Sequence, residues 1–157
     1  FGRYAARNRA ARGLGKPETF DFLGFTHICG KGRKTGRFWL RRHTITKRLR
    51  AKLKQVKDQL RRRQHLPVPE QGRWLRSVVQ GHMAYYAVPG NTRALNLFRT
   101  QVTRHWHHAL RRRSQRHRLN WERMRRLVAR WVPSVRVLHP FPEVRFDART
   151  QGRSPVR

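Results

Sequence analysis

The stretch EQGRWLRSVVQGHMAYYAVPGN, residues 70–91, decides how this chain is read. At 3.6 residues per turn, Trp74, Val78, Met83 and Tyr85, with Leu75, Val79 and Tyr86 alongside, make a wide apolar face. Pro69 stands just ahead of the stretch, and Pro89 followed by Gly90 stops it. A helix apolar over so much of its circumference belongs between neighbours, not on a surface. Gly81 inside it costs about 1 kcal/mol relative to alanine, a cost that close approach of another helix would offset.

Neighbours are present on both sides. Residues 46–64, TKRLRAKLKQVKDQLRRRQ, place Leu49, Leu53, Val56 and Leu60 on one seam, with Thr44 or Thr46 as the expected cap. One position further on, Arg50, Lys54, Lys57 and Arg61 repeat that spacing. They predict a basic stripe about 16 Å long beside the seam. Only Asp58 interrupts its polar face. Downstream, a third helix from Asn91 or Thr92 to about Arg113 carries Leu95, Phe98, Val102, Trp106 and Ala109. A short fourth, near 120–131, opens on Asn120, presents Met124, Leu127, Val128 and Trp131, and ends before Pro133. Between the last two, RRRSQRHR (111–118) concentrates Arg111, Arg112, Arg113, Arg116 and Arg118.

Charge points to the partner. Thirty-nine Lys and Arg against seven acids give a formal charge of +32 over 157 residues, an excess that repels itself unless a polyanion is bound. Nucleic acid is the expected partner. Five Trp and eight Phe are too many for a wholly disordered tail. Cys29 stands alone, which leaves no intrachain disulfide and no Cys-based zinc site. No apolar run reaches the roughly 18 residues of a membrane span, so no membrane partner is expected. Phe1 in place of an initiating Met reads as a fragment or a processed product.

Ahead of the helices, residues 20–43 predict a β-hairpin. Phe20, Phe22 and Phe25 mark one arm and Phe38, Trp39 and Leu40 the other. The intervening CGKGRKTGR could hold phosphate through backbone N–H groups with Lys31, Arg33 and Lys34. Residues 1–19 read as a basic lead-in in which Gly13, Gly15 and Pro17 break any helix begun by the Ala-Arg run. Residues 133–157 read as an irregular tail with one strand-like piece, VRVLH, and disorder past Asp147.

Catalytic signals are missing. The acids, Glu18, Asp21, Asp58, Glu70, Glu122, Glu143 and Asp147, form no Asp-x-Asp or similar pair for a two-metal site. His105 and His108 share a helix face without a Cys or carboxylate nearby, so no metal site is assigned. Ser77 and Ser114 lack a local base, and GKGRKTGR lacks the spacing of a phosphate-binding Walker loop. The chain carries no catalytic residues of its own to name. Trp39, Trp106 and His107 are candidates to stack on unpaired bases, with Trp106 assigned first to the core.

Taken in order, FDFLGFTH (20–27), PEQGRWLRSVVQGHMAYYAVPGN (69–91) and LRRRSQR (110–116) resemble the C-terminal part of bacterial group II intron-encoded reverse transcriptase/maturases. FLGF is similar to the last palm motif of that family. GHMAYY (81–86) is similar to the Gly-aromatic-Tyr-Tyr signature of its maturase-specific region, with His82 where an aromatic is common. The resemblance implies an end-of-palm hairpin (20–43) and a helical thumb or maturase domain (44–132) that clamps a template-primer duplex and binds group II intron RNA, aiding splicing. The family's fingers, and its palm with the Tyr-Ala-Asp-Asp turn and its Mg2+, would lie before Phe1. The 157 residues contain no Cys-pair endonuclease motif of the kind that some members carry at the C-terminus.

The expectation is therefore a mainly α fold: a three- to four-helix thumb-like bundle behind a β-hairpin, with irregular basic tails. It would bind RNA in the bacterial cytoplasm, associated with RNA or nucleoid. Two rivals stand beside it, a subunit of an RNA-directed DNA polymerase completed by a separate finger-palm chain, and an unspecific polycation or remnant.

Overall fold

A computed structural model describes residues 1–32, 36, 38–113 and 119–140. The described residues form helices α1 (Ala5–Ala11), α2 (Thr46–Arg62), α3 (Val68–Tyr86), α4 (Thr92–Arg111) and α5 (Trp121–Trp131). A three-stranded antiparallel sheet of β1 (Phe20–Phe22), β2 (Phe25–Lys31) and β3 (Phe38–Thr44), in that order, stands between α1 and α2. The fold is a mixed α/β domain, not a helical bundle with one hairpin appended.

The expected single hairpin is a meander because FDFLGF does not run on as one arm. Leu23 and Gly24 both take positive φ, 46° and 83°, as the two central residues of a type I′ turn require. They fold Phe22 back onto Phe25. The glycine is needed twice over, since a Cβ on it would also lie 2.8 Å from the Tyr86 hydroxyl oxygen. Gly24→Ala should therefore lower stability by about 1–3 kcal/mol, read from urea unfolding. A change below 0.5 kcal/mol would mean that the turn relaxes freely.

The basic lead-in contains a helix. Alanine and arginine are strong helix formers, and α1 runs until Gly13, which takes φ 63°. There the Leu14 N–H donates to the Arg9 carbonyl and the Gly13 N–H to that of Ala10, a Schellman closure. Gly13 thus closes a helix that the Ala-Arg run does begin, as its expected breaking role requires.

The four longer helices share one core. Leu49, Val56 and Leu60 of α2 are buried and Leu53 is half-buried, as their seam predicts. They meet Leu95, Phe98, Val102 and Trp106 of α4, while α3 packs on both α4 and α5. The inward line of α3 is Gln71, Leu75, Val79 and His82, with Met83 beside it. Of the wide apolar face read from the sequence, Leu75 and Val79 are on that line and Met83 borders it. Trp74, Val78 and Tyr86 are half-buried and pack against the core, whereas Tyr85 is 49% exposed, which corrects its assignment to the core. Trp74 also carries the Arg63 guanidinium 4.8 Å above its ring.

The close approach expected at Gly81 occurs one helix face away. A Cβ on Gly72 would lie 2.5 Å from the Trp131 ring, whereas one on Gly81 would meet nothing within 4 Å. No side chain of Thr44 or Thr46 caps α2, whose N-cap is Ile45. Thr44 faces inward instead, its N–H donating to Asn91 Oδ1 at 3.0 Å and its hydroxyl accepting from Asn91 Nδ2 at 2.8 Å. Asn91 Nδ2 also lies 2.9 Å from the Tyr86 carbonyl, so one buried amide ties sheet, α3 and α4 together. Asn120 caps α5 as its position predicts, accepting from the Arg123 N–H at 3.0 Å.

The carbonyls at the end of α5 are covered by two arginines. Arg99 of α4 donates to Pro133 O at 2.8 Å and to Val132 O at 3.4 Å, and Arg76 of α3 donates to Arg130 O. These cations hold the fold. VRVLH forms no strand; Leu138 and His139 donate backbone N–H groups to the Ala87 carbonyl at the end of α3. The expected disorder past Asp147 lies outside the described residues.

Candidate nucleic-acid interface

Four exposed cations, Arg50, Lys54, Lys57 and Arg61, run along α2 as their spacing predicts. Because α2 packs against α4, the stripe's far end meets the end of that helix. Lys57, Arg61 and Gln64 there line a cleft of about 130 Å³ with His105, His108, Ala109 and Arg112. Burial first, then Lys57 and His108, push His105 below its ordinary protonation range. It stays neutral at pH 7, while Lys57, Arg61 and Arg112 carry the charge. Such a cleft presents point charges and forked donors to an anion such as a phosphate.

The acids do little to neutralise it. Among the described residues the ion pairs are Arg9 with Glu18 at 3.0 Å and Arg126 with Glu122 at 2.6 Å, both remote in sequence from the stripe. Asp58 borders Arg61 and Arg62 without joining an ion pair among the described residues. No group of three His, Cys, Asp or Glu side chains among the described residues is placed to hold a metal ion.

Other sequence candidates distribute unevenly. Arg111, Arg112 and Arg113 are exposed at the end of α4, next to the cleft. Lys31 is exposed at the end of β2 and lines a separate cavity with Arg3 and Cys29. Arg33, Lys34, Arg116 and Arg118 lie outside the described residues. Trp39 is half-buried, with the Arg41 guanidinium 5.5 Å from its ring.

Two proposed stacking residues are interior. Trp106 is fully buried, its Nε1–H donating to Gln71 Oε1 at 3.0 Å. His107, read as a free stacking ring, is buried with its centroid 4.2 Å from that of Trp121 and a ring nitrogen 3.3 Å from the Leu119 carbonyl. The residue that reasoning missed is Trp121 itself, 50% exposed and bordering a hollow with Arg104 and Arg125. It is the first residue of α5, directly after the Asn120 cap.

The blocks FDFLGFTH and GHMAYY, far apart in the chain, touch. Tyr85 Oη donates to the Leu23 carbonyl at 2.6 Å, and Phe25 packs 5.8 Å from the Tyr85 ring and 5.2 Å from that of Tyr86. Beyond Tyr86 the aromatic series continues through His82 to Phe98. No protein-family model matches the chain, and neither a curated protein nor a solved structure matches it. No helix among the described residues is long and apolar enough to cross a membrane.

Proposed function

We propose that this chain is an RNA-binding module of the thumb or maturase type, resembling the C-terminal part of group II intron reverse transcriptases. It would assist intron RNA splicing and template-primer binding without a polymerase site of its own. The observation that carries the reading is the cleft where Lys57 and Arg61 of α2 meet Arg112 at the end of α4. Three cations from two helices, beside exposed Arg50 and Lys54, make a continuous path for a phosphate backbone. The contact between the FLGF turn and Tyr85 and Tyr86 supports it further. Two of the three stretches behind the resemblance form one packed unit here.

A salt titration tests it, with a group II intron RNA against an unrelated structured RNA of equal length. Affinity should fall by about three orders of magnitude or more between 50 and 200 mM salt, the behaviour of six or more phosphate contacts. The intron RNA should keep an advantage of about tenfold at physiological salt, a difference of about 1.4 kcal/mol. Coincident curves would reduce the chain to an unspecific polycation. A salt-independent affinity would remove the phosphate path altogether.

A further inference from the structure

A second opening lies between α2 and α3, a groove of about 850 Å³. That is within the roughly 300–1,000 Å³ range of clefts that bind small ligands. Arg48 and Lys52 stand on the α2 side, Gly81, Tyr85 and Tyr86 on the α3 side, and the His82 ring is part of the lining. His82 is 7% exposed, stacked 3.8 Å from Phe98 and 4.6 Å from Tyr86. Its Nε2 is buried and has no hydrogen-bond partner. An unsatisfied buried polar atom is a standing cost to the folded state, and this one, on a residue that borders an open groove, is completed by a ligand that parts the side chains covering it. Gly81 keeps the groove open, since the space beside its Cα is empty to 4 Å.

We propose that this groove receives the base of a single unpaired RNA nucleotide, with Arg48 and Lys52 on the adjoining phosphate and the imidazole edge of His82 on the base. The inference rests on the RNA-binding reading above and adds a site separate from the α2–α4 cleft. The chemistry selects a base over a second phosphate for the depth of the groove. Burial, and then Lys52, lower the His82 pKa to about 4, so its ring is neutral at physiological pH. The Nε2 of a neutral imidazole donates or accepts one hydrogen bond according to tautomer, and either suits a single group on a nucleobase edge, whereas a phosphate would favour imidazolium. The cations remain at the opening, and the tyrosines supply the aromatic walls on which extruded bases stack.

The test uses two RNA hairpins identical except for one bulged 2-aminopurine, with the wild-type chain, His82→Phe and Gly81→Met. His82→Phe keeps an aromatic ring against Phe98 and removes the nitrogen; Gly81→Met fills the groove from a position with free space. The wild type should bind the bulged hairpin about fivefold more tightly than the paired one, the worth of about one hydrogen bond, and change its fluorescence. Both variants should lose that preference while binding the paired hairpin as before, through the α2–α4 cleft. If the wild type binds both hairpins equally, the groove is not a base site and the RNA-binding reading survives. If it binds neither, that reading falls as well. Should one variant fail to fold by circular dichroism, the other decides, and a preference kept in the folded variant overturns the proposal.

Discussion

Gln71→Leu should lower the unfolding free energy by about 3–4 kcal/mol, although it replaces a polar side chain in the middle of the core with an apolar one. Gln71 is fully buried. Its Nε2 lies 3.0 Å from the Arg63 carbonyl, 3.0 Å from that of Leu66 and 3.3 Å from that of Gln64, while its Oε1 accepts the Trp106 indole N–H. These carbonyls belong to the end of α2 and the turn that follows, groups without a helical partner. Leucine would strand the Trp106 donor and at least one of the carbonyls away from water, and each stranded group costs about 1–3 kcal/mol. Urea unfolding reads the loss directly. A companion Trp106→Phe removes the donor itself, so the double variant should fall short of the sum of the two single changes. Additive losses, or a loss below 1 kcal/mol, would mean that water reaches this turn.

Changing Lys57, Arg61 and Arg112 together to glutamine should weaken RNA binding about a hundredfold at physiological salt and lower the slope of log affinity against log salt by about 2–3. Helical circular dichroism should stay unchanged, because Lys57, Arg61 and Arg112 are all exposed. The matching control removes the same charge elsewhere. Arg63, Arg76 and Arg99 changed to glutamine should unfold the bundle, since they cover Trp74, the Arg130 carbonyl and the carbonyls after α5. If both triples weakened RNA binding equally with the fold intact, net charge alone would govern affinity. If the cleft triple lost its helices, those residues would be structural and the interface would have to be sought elsewhere.

Local pattern carried the parts of this protein whose cause is local. The α2 seam, the basic stripe beside it, the Asn120 cap and the stop before Pro133 each follow from helical period or from the chemistry of one terminus, and each is found at its place. The charge excess, and with it the expectation of a polyanionic partner, needs no coordinates. The turn at Leu23 and Gly24 was legible too, because a two-residue loop with glycine between alternating aromatics is a hairpin signal. Phe20, Phe22 and Phe25, spaced almost as a single strand, mask it.

What the chain alone could not disclose depends on partners distant in sequence. Gln71 and His82 read as polar, yet they lie on the inward line of α3 because Trp106, the turn after α2 and Phe98 meet them there. Tyr85 and His107 read by type as a core residue and a base-stacking ring; packing against the sheet turn and against Trp121 gives each the opposite exposure. Arginines of identical character divide between solvent-facing positions and braces of the fold, and only the carbonyl or ring beside each one decides which. Hydrophobic period states that a face is buried. Which neighbour buries it, and where a groove is left between two such faces, is set by the packing of α2 on α4 and of α3 on α4 and α5.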